Sequence, residues 1–556
     1  MPDVKLEVEQ IQGNVVPGFR TDLQAVIALR FAAAGPARRW LGELARSVTS
    51  ARDVRTGRIR RGAWVNVGLS SAGLERLEAP GRQDLPVEFR AGMFGRAAVL
   101  GDRATGTWKL GGSPDTEADA VVIIGANGRA DLEAEIARQL AALDENGIRE
   151  LATYRGERLP GALHSHEHFG FRDGISQPVL AADGAEGANV QPGEFILGYP
   201  DETGAADFAG PSWARNGSYL VFRRIRQHVD RFRRAVAREA PRTGLTPPHL
   251  AAKLVGRWPR GAKLGAEATE PKTVEDERLH LERADFAQDP AGERIPLCAH
   301  VRKVHPRDVD AAEPQRHRLL RRGIPYGKPL AEDAHQDDGE DRGLLFLAYQ
   351  ASIARQFEHV QRAWMDDPAF PPHGSGPTPG PDALVGQPAG DRTVSIPRAN
   401  GNASARLEQF VSVTGGGYFL APSIEALIEL AGPGTGRQPE ETKMPDAHAY
   451  LRLGEFIHTQ NPYPWQMELP VDLAAPANPE DVEKDGIGRN RDAGHPFEVP
   501  DVWGDRDRIM QGLFWYFDGK PRRVSKAVRI EYTYTFEGKE YTEHLLIGFE
   551  GAGGGQ

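Results

Sequence analysis

Residues 25–31 read AVIALRF, a short apolar run of the kind that forms a strand with little solvent exposure. Pro36 follows a few residues later, and proline suits the first turn of a helix because its missing N–H would be unpaired there anyway. Trp40, Leu41 and Leu44 give that helix an apolar stripe. The fold is therefore predicted to begin with a strand and an amphipathic helix.

The first half of the chain continues in the same manner. Two further strands are predicted at residues 63–69 and 120–124. Between Asp131 and Leu143 the apolar positions recur every three or four residues, as on one face of a helix. An extended piece at 151–154 completes the order β-α-β-β-α-β, which is that of a ferredoxin-like unit.

The second half repeats this order of elements without a residue-level repeat. Its strands are predicted at residues 218–222, 344–349 and 417–420, each followed by a helix. We therefore predict an α+β fold of two related halves and an extension, with boundaries at 1–210, 211–435 and 436–556.

Arginines surround the helix that follows the first strand of the second half. Val229, Phe232 and Val236 form its apolar side. The remaining positions include Arg223, Arg224, Arg226, Arg231, Arg233 and Arg234. This cluster is either a solvated helix face or a surface for anions or nucleic acid.

Composition restricts the class of protein. Lysine plus arginine number 68 against 78 for aspartate plus glutamate, and the net charge of −10 disfavours nucleic acid or a membrane as partner. A single cysteine, Cys298, excludes an intrachain disulfide and a cysteine-based zinc site. No run approaches the ~18 apolar residues of a membrane span, and no signal segment is visible. We expect a cytoplasmic protein, and a homo-oligomer is compatible with these features.

Two irregular stretches interrupt the second half and the extension. A glycine- and proline-rich run begins at Pro368 and is interpreted as a long surface loop; a second stretch spans about 458–501. Residues 527–536 and 541–549 alternate around a short turn and predict a β-hairpin. The extension could cover a sheet edge, form an oligomer contact or shield a channel.

The densest polar group of the chain reads HSHEHFGFRDG and begins at His164. On a strand, His164, His166 and His168 would share one face and could hold a metal such as zinc. Gly170 and Gly174 indicate a tight loop instead, in which the histidines need bind no metal. Spacing alone leaves both interpretations open.

Two other segments carry candidate chemistry. His300 lies in CAHVRKVHPR, where a lone histidine is usually structural. Arg321 and Arg322 precede Gly323 in LLRRGIPYG, where adjacent arginines ordinarily cap the end of a helix. Taken singly, none of these groups identifies a function.

Taken in order, the glycine-flanked Asp173, then His300, then Arg321 resemble the site residues of the dye-decolourising peroxidases. Other segments similar to that family are IQGN from Ile11, EHFGFRDGISQP from Glu167, NGSYLVFR from Asn216, LAAKLVGRWPRGA from Leu250, GLLFLAYQASIARQF from Gly343 and GGGYFLAPS from Gly415. The resemblance implies two ferredoxin-like halves in a duplicated fold of the dimeric α+β barrel type, with haem in the second half. The region after about Leu430 has no counterpart in it.

The resemblance also implies a role for each site residue at a haem b. His300 would be the proximal iron ligand, as neutral imidazole commonly is. Asp173 would move a proton between the peroxide oxygens, and Arg321 would stabilise the charge on the departing oxygen. Leu344 and Phe346 would form the apolar distal wall. Hydrogen peroxide and a bulky dye or phenol would be the substrates.

Several assignments remain open. Arg302 is a candidate partner for a haem propionate. The carboxylate that orients the proximal imidazole has two candidates, Asp391 and Glu408. Candidate relays for electrons from bulky donors are Trp258, Trp364 and Tyr326.

Two other functions compete with a peroxidase. The first is a haem-handling protein on the same fold, which would release or store iron. The second is a non-haem metallohydrolase at His164, His166 and His168, in which His300 and Arg321 would have no role.

Overall fold

The structure is a computed structural model that describes residues 4–432, with gaps at 60–61, 104, 186–188, 266–268, 271–285, 308–312, 374–375, 388–389, 391 and 399–400, and four strands further along the chain. The chain divides into two compact units, Met1–Gly436 and Arg437–Gln556. Within the described residues, no helix combines the length and the apolar character needed to cross a bilayer.

The described residues of the first half of the larger unit form four strands and six helices. In chain order they are β1 Leu23–Arg30, α1 Ala34–Ala45, α2 Ala51–Arg55, β2 Ala63–Leu69, α3 Ser71–Arg76, α4 Val87–Gly95, α5 Ala97–Leu100, β3 Ala120–Ala126, α6 Arg129–Glu145 and β4 Arg149–Glu157. The strands are antiparallel in the order β4-β1-β3-β2, as in a ferredoxin-like unit. The predicted strands and both long helices are confirmed, whereas α2 to α5 are too short to show a helical period in the sequence.

The second half repeats the topology. Its elements are β5 Ser218–Gln227, α7 Val229–Thr243, α8 Pro247–Val255, α9 His300–Lys303, β6 Leu320–Arg321, β7 Ile324–Tyr326, β8 Gly343–Gln350, β9 Thr393–Arg398, β10 Gly401–Arg406, β11 Val411–Ala421 and α10 Ile424–Ala431. The predicted helix after β8 is present as two π-helical segments, Ile353–Glu358 and Val360–Met365. The strand order is β11-β5-β8-β6, and β7 also pairs with β8.

The two halves share one nine-stranded sheet. Leu420 of β11 pairs with Leu69 of β2 at the junction. At the other end, Gly156 of β4 lies against Ile324 of β7, where an added Cβ would come within 2.2 Å of the isoleucine Cγ2. The ends of the sheet therefore meet, as predicted for a fold of the α+β barrel type.

The alternation of side chains along β8 separates the closed core from the helical layer. Leu345 and Leu347 are fully buried in the core enclosed by the sheet. Leu344 and Phe346 point to the opposite face and remain partly accessible. The accessible face of this strand lies on the same side as the helices of the second half, where the site is found.

The arginine cluster divides between a strand and a helix, which corrects the sequence prediction. Because β5 extends to Gln227, Arg223 and Arg224 lie on the strand, and so does Arg226. Arg223 forms a buried ion pair with Asp102 at 2.5 Å. On α7, Arg233 and Arg234 donate to carbonyls of residues 331–335. These arginines hold strands and loops together. Because Arg223 and Arg224 are buried, they do not belong to the solvated helix face that the sequence offered beside an anion-binding surface.

The glycine- and proline-rich run after Pro368 is only partly a surface loop. Asp382 and Ala383 have no exposed surface, and Leu384 is also buried. The run therefore passes through the core, contrary to the prediction.

The smaller unit contains four described strands, β12 Ala449–Arg452, β13 Glu468–Val471, β14 Lys526–Phe536 and β15 Lys539–Phe549. β14 and β15 pair antiparallel, with Val528 opposite Ile547, which confirms the predicted hairpin. The second strand of the hairpin begins at Lys539, two residues earlier than predicted. Apart from β13, the irregular stretch 458–501 lies outside the described residues.

Candidate active site

Asp173 and Arg321 come from separate segments and meet in space. Asp173 lies on the loop after β4, and Arg321 ends the two-residue strand β6. The Arg321 Nη1 donates to Asp173 Oδ1 at 3.1 Å. Both charges act on the imidazole of His300, which begins α9. The structure thus brings together the three residues that the sequence suggested.

The loop that carries Asp173 is shaped by a half-buried carboxylate and by glycine. Glu167 accepts hydrogen bonds from the N–H groups of Phe169 and Phe171 at 2.8 and 3.0 Å, which closes a tight turn. Gly174 has φ of 81°, a conformation that favours glycine. The Asp173 N–H donates to Ser165 O at 3.0 Å. These bonds fix the direction in which the Asp173 side chain leaves the loop.

Asp173 lies among other protein groups, but part of its side chain remains accessible to solvent. Its side chain is 44% exposed and that of Arg321 is 31% exposed. Burial raises the pKa of Asp173, but Arg321, the Gly174 N–H and His300 lower it, and the net pKa lies below the usual aspartate value. The carboxylate is therefore ionised in neutral solution and available to accept a proton.

An apolar surface adjoins the Asp173–Arg321 pair. Arg321 pairs with Ala348 of β8, so its side chain leaves the sheet on the same face as Phe346 and Leu344, two and four residues away. Phe346 packs against Phe357 of the π-helical segment, with 6.3 Å between the ring centroids. The predicted distal wall is thus an accessible apolar strip beside the charged pair.

On the other side of the site, His300 is oriented by a buried carboxylate. The His300 Nδ1 lies 2.8 Å from Asp382 Oδ2, and Asp382 has no exposed side-chain surface, whereas His300 is 26% exposed. Asp382 Oδ1 accepts from the N–H groups of Leu384 and Val385, each at 2.9 Å. With Nδ1–H donated to Asp382, the ring presents Nε2 to a metal.

Asp382 replaces the two carboxylates suggested from the sequence. Glu408 pairs with Arg238 at 2.8 Å instead, and Asp391 lies outside the described residues. The sequence signal that could have found Asp382 is the apolar run Ala383 to Val385, which stands out within a polar, glycine-rich stretch. Such a run indicates a buried turn.

The electrostatics of this pair favour an anionic Asp382. Burial raises the pKa of Asp382, but His300 and the two backbone N–H groups lower it further, and the net pKa lies below the usual value. Burial lowers the pKa of His300, and Asp382 raises it above its usual value. The carboxylate therefore makes the imidazole more electron-rich.

The structure does not bring Arg302 to the site. Its side chain is fully buried, donates to Ile295 O at 2.8 Å and lies over the ring of Phe286, 4.9 Å from the centroid. A side chain with no exposed surface is not available to a propionate. The placement does not support the role expected for Arg302.

Two of the three histidines of the loop, His164 and His168, have separate partners. His164 Nε2 lies 3.0 Å from Asp22 Oδ1 at the surface, and buried His168 Nε2 lies 2.9 Å from Tyr326 O. In the described part of the chain, no group of three or more histidine, cysteine, aspartate or glutamate side chains is arranged to hold a metal. Of the two interpretations left open by the spacing, the structure favours the loop over the zinc site, because the segment lacks the alternation of a strand.

The three candidate relay aromatics, Trp258, Trp364 and Tyr326, are all buried. Trp364 stacks on Phe370 with 5.5 Å between centroids. The Tyr326 hydroxyl donates to Asp341 at 3.2 Å. None of the three presents a large exposed surface to a bulky donor.

The donor set fits a haem. His300 offers one imidazole nitrogen oriented by a buried carboxylate, which is a common axial arrangement. The accessible pair of Asp173 and Arg321 and the apolar strip of Leu344 and Phe346 supply polar and apolar contacts of the kind that decide chemistry at a haem face.

Comparison with known proteins gives matches over most of the chain. The family model described as "Dyp-type peroxidase, C-terminal" matches residues 166–369. The dye-decolorizing peroxidase msp1 of Mycetinis scorodonius is 31% identical over 464 residues, which is 76% of this chain and 87% of that protein. A deferrochelatase of Yersinia pseudotuberculosis is 30% identical over 272 residues, 48% of this chain and 43% of that protein.

A solved structure extends the likeness to the fold. A dye-decolorizing peroxidase in complex with 2,6-dimethoxyphenol is 31% identical and superposes with a TM-score of 0.68. The match covers 77% of this chain and all of that one. The likeness therefore spans a complete fold of the other protein.

Proposed function

The chain belongs to the dye-decolourising peroxidase family, whose members are haem enzymes, and we propose that Asp173, Arg321 and His300 form its active centre. His300 would hold the iron through Nε2 while Asp382 orients the ring. Asp173 and Arg321 would act on bound hydrogen peroxide, and Leu344 and Phe346 would exclude water beside it. The single observation that carries this proposal is the 3.1 Å bond between Asp173 and Arg321, whose charges both act on His300.

Bound haem supplies the iron at which hydrogen peroxide is reduced, and the side chains supply the proton transfer and the charge. Ionised Asp173 accepts the proton of one peroxide oxygen and returns it to the oxygen that departs as water. Arg321 remains cationic and stabilises negative charge on that oxygen. Because Arg321 also lowers the pKa of Asp173, the base is present in neutral solution.

The reducing substrate is an aromatic donor of the dye or phenol class. The relative solved with 2,6-dimethoxyphenol supports this choice. The haem-handling alternative has support in the deferrochelatase match, but that match covers 43% of the relative, against 87% for the peroxidase msp1. We therefore favour a peroxidase.

Asp173→Asn tests the acid–base role. The variant keeps haem but cannot accept the proton, so the change of the Soret absorption after one equivalent of hydrogen peroxide should slow by about 10²- to 10⁴-fold. Arg321→Leu should slow it by about 10²- to 10³-fold. Asp337→Asn, which removes the carboxylate of a surface ion pair with Arg226, is the matched control.

Dye oxidation and iron release, measured on the same variants, separate the two functions. Loss of peroxide-dependent oxidation of 2,6-dimethoxyphenol in Asp173→Asn, with the control unaffected, supports the peroxidase. Rates that stay at the level of the unmodified protein in both site variants would remove Asp173 and Arg321 from the reaction. Iron release from added haem without dye oxidation would favour the haem-handling function.

A further inference from the structure

Gln177 makes two hydrogen bonds to the backbone of Arg321. Its Nε2 donates to Arg321 O at 3.0 Å, and its Oε1 accepts from the Arg321 N–H at 3.3 Å. A side-chain amide carries one donor group and one acceptor, so it can satisfy both backbone groups of a single residue. The pair of bonds resembles a strand partner added to β6.

Among the described residues, no strand lies beside the backbone edge that Gln177 meets. β6 is two residues long and pairs with β8 on one side. The Arg322 N–H donates toward β8, to Leu347 O at 2.7 Å. Since successive backbone groups of a strand point to alternate sides, the N–H and C=O of Arg321 point away from β8. The side chain of Gln177 lies on that side.

The same loop therefore binds Arg321 through both its side chain and its backbone. Asp173 binds its guanidinium, and Gln177, four residues later, binds its backbone. Arg318 Nη2 also donates to Ser176 O at 3.0 Å, which attaches the loop to the segment before β6. The distance between the Asp173 carboxylate and the Arg321 guanidinium therefore depends on the hydrogen bonds between the loop and β6.

We propose that Gln177 is a positioning residue that fixes Arg321 relative to Asp173. This inference rests on the proposed function, in which those two residues act on hydrogen peroxide. Without the amide, the Arg321 N–H loses its acceptor, and the Arg321 C=O keeps only the bond from Arg322 Nη1 at 3.2 Å. Its guanidinium then moves relative to Asp173, and the carboxylate loses part of the interaction that lowers its pKa.

Gln177→Leu removes both bonds at similar size, and Gln177→Glu keeps an acceptor while losing the donor. In the haem-bound protein, Gln177→Leu should slow the peroxide-induced change of the Soret absorption by about ten- to a hundredfold. The acid limb of its pH profile should move up by about one pH unit, because Asp173 then protonates more readily. The rate and the acid limb of Gln177→Glu should lie between those of Gln177→Leu and of the unmodified protein.

Gln12→Leu provides a matched control. Gln12 makes the same reciprocal pair with Val67, at 2.9 Å to its C=O and 2.8 Å from its N–H, in the first half of the chain. If loss of such a pair acted only through stability, Gln12→Leu would change the pH profile as Gln177→Leu does. The proposal expects an unmoved acid limb in Gln12→Leu. Gln12→Glu replaces this control if Gln12→Leu does not fold.

Hydrogen exchange gives a readout that does not depend on turnover. The Arg321 amide should exchange about tenfold faster in Gln177→Leu, because its acceptor is gone. Faster exchange with a shifted acid limb supports the proposal. Unchanged protection of the Arg321 amide overturns it, as does an unmoved acid limb in a series where Asp173→Asn slows the reaction. If Asp173→Asn has no effect, the proposed function fails, and the amide exchange alone decides whether Gln177 holds Arg321.

Discussion

The carboxylate of Asp173 shows how single contacts decide the chemistry at the residue scale. Burial alone would raise its pKa toward the protonated form, which cannot accept a proton from peroxide. The Arg321 guanidinium, the Gly174 N–H and His300 reverse this effect. In the proposed function, the same arginine would stabilise the base before the reaction and the developing charge during it.

His300 and Asp382 lead to a prediction for the proximal side. Asp382→Asn replaces an anion that accepts from Nδ1 with a neutral amide, so the imidazole becomes a poorer electron donor. We expect haem affinity to fall by about 10- to 100-fold and the midpoint potential of the bound iron to rise. Haem titration and spectroelectrochemistry measure the two quantities.

Glu408→Gln is the control for this prediction. It changes the surface carboxylate that pairs with Arg238, and it should leave both quantities unchanged. An unaltered midpoint potential in Asp382→Asn would show that Asp382 does not tune the iron ligand.

At the scale of elements, the loop at 164–177 works because it is anchored at several points. Glu167 closes its turn, His168 binds Tyr326 O of β7, and Gln177 binds β6. The histidine spacing that resembles a metal site instead places His164 and His168 against separate partners. An irregular segment is held as firmly as a strand when its backbone groups and polar side chains have such partners.

His168 gives this anchoring a dependence on pH. Burial lowers its pKa to about 4, and Tyr326 O only partly opposes this effect. The unfolded chain binds a proton near pH 6.5, so between pH 6.5 and 4 the unfolded state holds more protons than the folded state. The free energy of unfolding is therefore expected to fall as pH is lowered through this window, by about 3 kcal/mol at most for this residue.

His168→Gln removes this titration while keeping a donor for Tyr326 O. Urea unfolding at several pH values measures the free energy of unfolding of both proteins. Between pH 6.5 and 4, this free energy should fall less for the variant than for the unmodified protein. His164→Gln, at the exposed histidine, is the comparison. Equal pH dependence in the unmodified protein and His168→Gln would mean that folding does not lower the pKa of His168.

At the scale of the whole molecule, the site lies between two parts of one duplicated unit. The first half supplies the loop of Asp173 after β4, and the second supplies Arg321, His300 and Asp382. Since the two halves share one sheet, their relative position fixes the site. The dye-decolorizing peroxidase solved with 2,6-dimethoxyphenol has the same fold. The match covers 77% of this chain and the whole of that protein.

A chain that ends at Gly436 is expected to keep haem binding and the reaction with peroxide within about twofold of the full chain. Every residue of the proposed site lies in the larger unit, which is compact by itself. Soret titration and stopped-flow absorbance after peroxide addition check this expectation. A truncated chain that folds but reacts much more slowly would show that residues 437–556 contribute to activity.

The sequence by itself determined the elements with a clear period and the residues with a recognisable setting. The apolar run of β1, the stripe of α6 and the alternation around β14 and β15 are local patterns, because each strand or helix buries one face. Asp173, His300 and Arg321 could be named because their flanking segments resemble a family. In the first half, the order of elements also indicated a ferredoxin-like unit, whereas β6 and β7 of the second half were not predicted.

Only the tertiary structure decided which side chains meet. Asp382 lies 82 residues from His300 along the chain, in a run whose composition indicates a surface loop, and no local pattern links the two. Gln177 and Arg321 are likewise joined through the packing of a loop against a sheet edge. Local sequence specifies how a segment hydrogen-bonds to itself and which face it buries, whereas contacts between distant polar groups depend on how whole elements pack.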